Sequence, residues 1–407
     1  MMTAPFDVVR PRRVAIVHDW LTVTAGAERV LEQLLLLYPD ADLYSLVDFL
    51  PTTERGWLGG RKPITSFIQR LPFARSRHRA YLPLMPFAVE QWDFSGYDLV
   101  ISSCYAVVKG LLTGPDQLHV SYVHSPMRYA WDLQDAYLRQ SRMNGLKGWL
   151  ARWLLHRIRL WDQVASQRVD LFVANSAFVA RRIEKVYRRH AVVVPPPVDV
   201  ERLAMSHRSE PFFLVVSRLV PYKRVDLIVQ AFVGLSDLKL VVIGDGPERQ
   251  RVAAQAQGAP NISLLGHQPD EVVRDHLRRC RAFIIAAVED FGIAPLEAQA
   301  CGKPVIALRR GGAAETLAGL DAPVPTAVFF ERQEADNLRE AVRRFEAAES
   351  DIRAEDCRAR AERYTPERFR EAFSALIDDA LGSKDVVPTR RLTPLVDSVR
   401  RDYASIP

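Results

Sequence analysis

Short runs of apolar, often β-branched residues alternate with longer segments of helical spacing along most of the chain. The apolar runs lie at residues 14–17, 98–101, 119–123, 170–173, 192–194, 212–216, 238–243, 262–265, 282–286 and 304–308. Strands buried on both faces of a parallel sheet have this continuous apolar character, and the segments between the runs are long enough for crossover helices. The pattern therefore predicts an α/β fold with parallel sheets. In the second half we expect helices to begin at Lys223, Pro247, Pro269 and Pro295, because proline is tolerated in a first helical turn.

A turn-rich break separates two series of strands. Three consecutive prolines at 195–197 begin a polar segment that runs to Pro211. The chain of 407 residues is also too long for one hydrophobic core, which stops growing at about 250–300 residues. We therefore predict a first domain over residues 1–200 and a second over 201–364. Residues 382–407 form a tail with too few apolar residues for a core of its own.

Composition and charge narrow the class of protein. Lys and Arg outnumber Asp and Glu by 55 to 49, a net charge of +6 that favours phosphate-bearing ligands or an anionic membrane. The four cysteines have neither metal-binding nor disulfide-framework spacing. Residues 1–13 lack the apolar core of a signal peptide, and no stretch is long and apolar enough to span a bilayer. We expect a cytoplasmic protein that is soluble or peripheral on the membrane.

Two cations follow the first strand of the second half. Arg218 lies two residues after the run at 212–216, and Lys223 lies five residues further on. Ligands of parallel sheets collect at the carboxyl ends of the strands, and two cations beside a helix N-terminus suit a diphosphate. Taken alone, the two side chains are equally compatible with pairing to surface carboxylates.

Two glutamates follow the run at 282–286. Glu289 is placed in the loop and Glu297 in the first helical turn beyond Pro295. A carboxylate accepts two hydroxyl hydrogen bonds, so Glu297 suits a vicinal diol such as a ribose, and Gly292 allows backbone amides to approach a sugar or phosphate. Favourable interaction with the helix dipole is an alternative for Glu297 alone. Gly244, in a two-glycine turn after the run at 238–243, is a further candidate, although many such turns bind no ligand.

With these residues in place, the chain resembles the retaining GT-B glycosyltransferases of family 4. The resemblance rests on Arg218 with Lys223, on the Glu-x7-Glu motif of Glu289 and Glu297, and on the segments 291–305 and 311–315. It implies two Rossmann-like domains facing across a cleft, with a helix over 365–381 that packs back on the first domain. It also implies that the two cations hold the donor diphosphate and that Glu297 holds the ribose.

Further roles are implied only by this resemblance. Glu289, with the backbone amides of Phe291, Gly292 and Ile293, is expected to contact the transferred sugar. In the first half, His124 matches the active-site histidine that contacts the donor sugar, and Gly26 lies in the glycine-rich loop after the first strand. On its position alone, His124 is more typical of a structural histidine with satisfied hydrogen bonds.

The segments 212–226 and 124–132 look most like the WbaZ-like mannosyltransferases of surface-polysaccharide assembly, lipopolysaccharide included. The resemblance implies GDP-mannose as donor and retention of anomeric configuration. Arg128 and Tyr129 lie in the second of these segments and are expected on the acceptor side. Because Arg218, Lys223 and helix amides can stabilise the departing nucleoside diphosphate, and Asp40 with Asp42 precedes a strand and lacks partners, we predict neither metal nor cofactor.

Two basic stretches bear on the acceptor. Residues 55–89 contain seven Lys or Arg and residues 136–161 contain six, with no Asp or Glu in either. The second carries an apolar stripe at helical spacing, formed by Leu146, Trp149, Leu150, Trp153, Leu154 and Ile158. This pattern predicts a helix lying on an anionic bilayer, and a domain-packing helix is the alternative. The acceptor that fits is a saccharide or a polyprenyl-diphosphate-linked lipid.

Other classes of protein fit less well. A dinucleotide-binding epimerase or dehydrogenase requires Gly-x-Gly-x-x-Gly after its first strand, and residues 17–20 lack it. A non-enzymatic binder of nucleic acid or another polyanion has no use for Glu289 and Glu297 beside the cations, so we expect no nucleic-acid partner. A transferase of the same fold that uses a UDP-sugar remains an alternative.

Overall fold

A computed structural model describes Pro11, residues 13–141 and residues 143–384. The chain divides into two compact units, Met1–Pro196 with Glu367–Pro407 and Pro197–Pro366, and each is described by itself. Most of the segment in which a signal peptide was sought, and most of the predicted tail, at 385–407, lie outside the described residues.

The first unit is built on a seven-stranded parallel sheet in the order β3-β2-β1-β4-β5-β6-β7. Its strands are β1 Val14–His18, β2 Asp42–Ser45, β3 Ile64–Thr65, β4 Leu99–Cys104, β5 Leu118–Val123, β6 Leu171–Ala174 and β7 Ala191–Val193. Its first six helices are α1 Gly26–Leu37, α2 Ala74–Arg77, α3 Met85–Val89, α4 Gln134–Gln140, α5 Gly145–Ala165 and α6 Ala177–Tyr187. Alternate residues of β1 enter different hydrophobic clusters, Ile16 with α1 and Val17 with α3, so the whole strand is apolar because both faces are covered.

The second unit has a six-stranded parallel sheet in the order β10-β9-β8-β11-β12-β13. Its strands are β8 Phe212–Val216, β9 Lys239–Ile243, β10 Ile262–Gly266, β11 Ala282–Ile285, β12 Val305–Leu308 and β13 Ala327–Phe330. Its helices are α7 Val225–Val233, α8 Arg249–Ala256, α9 Asp270–Arg279, α10 Ile293–Ala300, α11 Ala313–Thr316, α12 Ala335–Ala348 and α13 Ala354–Ala361. Phe213 packs with α7 and α12 on one face, whereas Leu214 packs with α10 on the other.

The last helix, α14 Pro366–Lys384, belongs to the first unit for almost all of its length. Its buried side chains include Phe369, Phe373 and Ile377, which join the cluster formed by β1, β4, β5 and α1. Phe369 and Phe373 lie 5.8 and 6.4 Å from the ring of Tyr122 on β5. The helix therefore completes one face of the first core.

Three helix starts differ from the sequence prediction. Lys223 ends a short 3-10 helix, Pro221–Lys223, and α7 begins only at Val225, because Arg224 between them adopts a left-handed conformation with φ 53°. Proline at 247 precedes α8 by two residues. The helix α10 begins at Ile293, two residues before Pro295, so Glu297 lies in its second turn and not its first.

The apolar stripe of α5 also differs from the predicted one. Leu146, Trp149, Leu150 and Trp153 are exposed, with 63% of Trp149 and 48% of Trp153 accessible. Ile158 is buried and Leu154 is half-buried, because these two positions turn toward the core, and the exposed stripe continues instead through Leu160 and Val164. Over the residues that the structure describes, no helix is long and apolar enough to cross a membrane.

Candidate functional site

The loops after two neighbouring strands, β8 and β11, bring a predicted cation and a predicted carboxylate together. Lys223 Nζ lies 2.5 Å from Glu289 Oε1, and the two side chains are 22% and 13% exposed. The pair links the residue predicted to hold the diphosphate with the residue predicted to contact the sugar. The carboxylate that pairs with Lys223 therefore belongs to the predicted Glu-x7-Glu motif and is not an unrelated surface carboxylate.

The other predicted residues of this unit surround the pair along the chain. Arg218 is exposed, and among the described residues it forms no ion pair. Gly292 is the N-cap of α10 with φ 97°, a left-handed conformation that glycine adopts without strain. Ile293 is the first residue of the helix, and Phe291, directly before Gly292, is buried against Tyr364. Glu297 is half-buried one turn further along α10.

Gly244 allows the loops after β8 and β9 to touch. A Cβ atom added to Gly244 lies 1.8 Å from the carbonyl oxygen of Ser217, the residue before Arg218. The amide of Leu219 donates to the carbonyl of Asp245 over 2.9 Å across the same loop pair. The structure thus shows a packing role for Gly244 beside the Arg218 loop, and its contact with a donor stays a prediction.

Gly311 and Gly312 support the loop that carries Glu289. The amide of Gly312 donates to the carbonyl of Glu289 over 2.8 Å. An added Cβ lies 2.3 Å from the same carbonyl at Gly311 and 2.3 Å from the backbone of Phe291 at Gly312. Only residues without a side chain fit against this loop, so the two glycines set the positions of Glu289 and Phe291.

In the first unit, four side chains form a continuous hydrogen-bonded chain that ends at His124. His124 Nε2 lies 2.9 Å from Ser103 Oγ, and Ser103 Oγ lies 3.1 Å from His18 Nδ1. His18 Nε2 in turn lies 3.4 Å from Glu28 Oε1. His18 and Ser103 are fully buried and Glu28 is 4% exposed, whereas His124 is partly exposed.

Burial, and then the neighbouring His18, lower the pKa of His124 to about 3. The imidazole is therefore neutral across the physiological pH range. Its ring packs edge-on against Tyr122 and Tyr105, with centroids 5.1 and 6.0 Å away. The amide of His124 donates to Cys104 over 2.9 Å, and its carbonyl accepts from Asn175 Nδ2.

Asp19 organises the loop that carries Tyr105. Its buried carboxylate accepts four backbone N–H bonds from residues 105–108, at 2.6, 2.8, 2.8 and 3.1 Å. The loop is thereby fixed beside the rings of His18 and His124.

Gly26 occupies a different position from the predicted loop. It is the first residue of α1, because Glu28 Oε2 accepts the amide of Ala25 over 2.9 Å and starts the helix there. Arg128 and Tyr129 are partly buried in the turn after His124, and no described residue bonds the buried hydroxyl of Tyr129. Trp149 and Trp153 lie on the exposed N-terminal half of α5.

Family models match both units. The model for Glycosyltransferase Family 4 matches residues 25–202, and the model for Glycosyl transferases group 1 matches residues 202–364. Most of the first unit is therefore similar to the family 4 model and most of the second unit to the group 1 model. The two units are called the family 4 domain and the group 1 domain below.

Similar proteins include several named glycosyltransferases. The GDP-mannose-dependent alpha-(1-6)-phosphatidylinositol monomannoside mannosyltransferase of Mycolicibacterium smegmatis is 30% identical over 214 residues, which cover 44% of this chain and 54% of that protein. The D-inositol 3-phosphate glycosyltransferase of Geodermatophilus obscurus is 32% identical over 182 residues, covering 37% of this chain and 40% of that protein. The chain thus spans about half the length of the curated relatives it matches.

Solved structures show the same fold. HepE of Anabaena, in complex with UDP and glucose, has a TM-score of 0.62 at 17% identity and covers 89% of this chain and 98% of its own. Sucrose-phosphate synthase of Thermosynechococcus elongatus has a TM-score of 0.67 at 15% identity and covers 91% and 100%. These likenesses confirm the predicted α/β fold of two Rossmann-like domains of the GT-B type.

The sequence prediction assigned no site role to six residues that build these sites. In the family 4 domain they are His18, Asp19, Glu28 and Ser103, and in the group 1 domain Gly312 with its neighbour. Polar residues in the last two positions of buried strands, such as His18 and Ser103, were the signal available for the first group. The glycine pair after β12 was the signal for the second.

Proposed function

We propose that this protein is a retaining glycosyltransferase that transfers mannose from GDP-mannose to a lipid-linked or saccharide acceptor in surface polysaccharide synthesis. The observation that carries the proposal is the contact between Lys223 and Glu289 within the group 1 domain, at the carboxyl ends of adjacent strands. A cation for the diphosphate and a carboxylate for the sugar lie side by side there, as transfer from a nucleotide sugar requires.

The leaving nucleoside diphosphate is stabilised by fixed positive groups. Arg218 is exposed and available to a phosphate, and the free amides at the start of α10 add partial positive charge. The ion pair with Glu289 holds Lys223 in place. As negative charge develops on the departing phosphate, the attraction between that phosphate and the Lys223 ammonium increases. These groups supply the stabilisation for which other transferases use a metal ion.

The sugar and ribose are held by oxygens of the same domain. Glu289 accepts hydroxyl hydrogen bonds from the transferred sugar while its other contact orients Lys223. Glu297, one turn into α10, accepts from the ribose diol. His124 of the family 4 domain contributes a neutral imidazole to a sugar hydroxyl. The acceptor hydroxyl attacks from the face that the diphosphate leaves, and its proton passes to the departing phosphate oxygen as the new glycosidic bond forms and the sugar–phosphate bond breaks.

Mannose from GDP-mannose is proposed because relatives at about 30% identity carry that donor in their names. One is the mannosyltransferase of Mycolicibacterium smegmatis, and a second is a monoacylated phosphatidylinositol monomannoside mannosyltransferase of Corynebacterium glutamicum, 28% identical over 201 residues. The resemblance to WbaZ-like enzymes points the same way. A second candidate is transfer from a UDP-sugar, since the base-reading contacts are backbone contacts that side-chain identity does not specify.

A lipid-linked acceptor is supported by the exposed surface of α5. Leu146, Trp149, Leu150 and Trp153 form an apolar stripe that is flanked by Lys147 and Arg152. Aromatic and aliphatic side chains between cations are the composition of a helix that lies on an anionic bilayer. We propose that this helix rests on the inner face of the cytoplasmic membrane, where polyprenyl-diphosphate-linked saccharides are exposed.

Thermal unfolding with a panel of nucleotides tests the donor. A ligand that binds only the native state raises its stability with the logarithm of ligand concentration over Kd, so GDP-mannose and GDP should raise the melting temperature more than the UDP and ADP series at equal concentration. Transfer of labelled mannose to a polyprenyl-diphosphate saccharide should follow. A larger rise with UDP than with GDP would overturn the mannose assignment in favour of the second candidate.

A further inference from the structure

The proposed function uses His124 but not the three other side chains of its hydrogen-bonded chain, Ser103, His18 and Glu28. Its four members come from three adjacent strands and one helix: His18 ends β1, Ser103 lies on β4, His124 follows β5, and Glu28 lies in the first turn of α1. His18 and Ser103 are register partners of the paired strands β1 and β4, so their side chains lie on the same face of the sheet. The sheet itself therefore places them in contact.

The carboxylate end of the chain sets its direction. Glu28 Oε2 already accepts the amide of Ala25, so this carboxylate acts as an acceptor at the end of the chain. A carboxylate accepts hydrogen bonds, so Nε2 of His18 is the donor that faces Glu28 Oε1. When Nε2 carries the only proton of His18, its bare Nδ1 accepts the hydroxyl proton of Ser103.

The direction continues to the open end. Because the proton of Ser103 points to His18, its oxygen accepts from His124, and the proton of His124 lies on Nε2. The opposite nitrogen, Nδ1, is then a bare lone pair, and within the described ranges no hydrogen bond to it is present. Since His18 and Ser103 have no exposed surface, water does not interrupt the chain.

We propose that Glu28 and His18 are positioning residues that, through Ser103, hold His124 as the neutral tautomer protonated on Nε2. His124 thereby presents an acceptor, Nδ1, to a hydroxyl of the sugar substrate. The chemical class selected is a ligand that donates an O–H bond at this position, and a ligand with only an acceptor there is rejected. The substrate half of this inference rests on the proposed function, whereas the tautomer does not.

Nitrogen-15 NMR of the full chain labelled at histidine tests the tautomer without any substrate. The sequence has nine histidines, and the His124 signals are assigned by their loss in His124→Asn. In the unaltered protein the Nε2 resonance should be that of a protonated nitrogen and Nδ1 that of a bare one. In Ser103→Ala and Glu28→Gln the constraint is lost, and both resonances should move toward the average of exchanging tautomers.

Matched controls separate the chain from a general loss of packing. Ser102→Ala removes a hydroxyl of equal burial, 2.9 Å from His119 Nε2, at the adjacent position of β4. Glu32→Gln changes a glutamate one turn along α1 that pairs with Arg29. Neither variant should alter the His124 resonances, and melting temperatures report any change in folding.

Kinetics test the consequence for transfer. Ser103→Ala and Glu28→Gln should each lower kcat by on the order of tenfold, with little change in the donor KM, as for other residues that orient a functional histidine. Because one chain transmits both effects, the double variant should lose little more than either single variant. A series of donor analogues, each lacking one sugar hydroxyl, identifies the hydroxyl that binds His124. With the analogue that lacks this hydroxyl, the variants and the unaltered protein should have equal kcat.

Two results would overturn the inference. A proton on Nδ1 of His124 in the unaltered protein contradicts the direction of the chain. If the His124 resonances are unchanged in both Ser103→Ala and Glu28→Gln, Glu28 does not control the tautomer of His124. If the NMR result holds but no nucleotide sugar is turned over, the tautomer stands and the proposed function fails.

Discussion

The two domains arrange their polar groups in opposite ways. In the group 1 domain the candidate residues are charged and partly accessible, with Arg218 exposed and the Lys223–Glu289 pair 22% and 13% exposed. In the family 4 domain the chain from Glu28 to Ser103 is almost wholly buried and ends in a neutral histidine. Partly accessible charges suit a diphosphate whose charge changes during the reaction, whereas a buried network that ends in a neutral imidazole suits the recognition of hydroxyl groups.

The largest expected effect is that of Glu289→Gln, which tests the charged site of the group 1 domain. The change removes the ion pair with Lys223 and the negative acceptor for the sugar, so kcat/KM should fall by on the order of 10²–10³, the range for a lost group that stabilises a transition state. Steady-state transfer assays measure it. Glu355→Gln, an exposed carboxylate of the same domain, is the control. A loss shared equally by the control, or a fall below tenfold, would show that Glu289 has no special role.

Gly312→Ala tests whether the charged site depends on its supporting loop. The added methyl group lies 2.3 Å from the backbone of Phe291, so the loop from Glu289 to Phe291 must shift. A displacement of this kind should lower kcat/KM by about tenfold to a hundredfold and destabilise the protein by about 1–3 kcal/mol. Gly56→Ala, where an added Cβ meets nothing within 4 Å, is the control. Unchanged activity in Gly312→Ala would remove the loop from the site.

The difference between the domains also explains what the sequence revealed. The strands and the charged motif were predicted, because continuous apolar runs mark buried strands and the segments after two of these runs contain Arg218 with Lys223 and Glu289 with Glu297. The buried chain was not predicted, since His18, Ser103 and His124 are far apart in sequence and are brought together only by the pairing of β1, β4 and β5. The short strands β3 and β13 were also missed. The predicted helix start at Lys223 was wrong because the left-handed conformation of Arg224 delays the start of α7 to Val225.

Placement of site residues was predicted less well than their identity. Gly26 was expected in a loop and begins a helix, because the capping contact of Glu28 is a tertiary detail that spacing does not show. The predicted stripe of α5 was wrong at Leu154 and Ile158, since an ideal helical period alone does not show which edge of an apolar face meets the core. The cleft, the WbaZ-like subgroup and the absence of a metal stay predictions.

Binding to vesicles tests the exposed apolar stripe of α5 in the family 4 domain. Replacing Trp149 and Trp153 by Ser removes two exposed aromatic rings, and sedimentation with phosphatidylglycerol vesicles should weaken by about tenfold or more. Raising the salt concentration should weaken the unaltered protein as well, because the flanking cations act through screened charge. Val324→Ser and Leu320→Ser, exposed apolar positions of the group 1 domain, are the controls. Equal binding of all variants would leave α5 without a membrane role.

A further effect is expected on the pH dependence of stability. Burial lowers the pKa of His119 and of His124 to about 3, and burial also lowers that of His78, and all three lie in the family 4 domain. A histidine that is neutral when folded takes up a proton on unfolding below its ordinary pKa of about 6.5. Its stabilisation is therefore complete above that value and falls as the pH drops from about 6.5 toward 3.

His119→Asn isolates one such group, because His119 has no exposed surface and lies behind Ser102, away from the chain that ends at His124. Denaturant unfolding from pH 8 to pH 4.5 should show a shallower loss of stability in this variant than in the unaltered protein. His207→Asn, an exposed position in the group 1 domain, should leave the slope unchanged. Parallel slopes for all three proteins would mean that burial of His119 does not couple protonation to folding. A shallower slope in His119→Asn alone would assign part of the acid sensitivity to the dry interior of the family 4 domain.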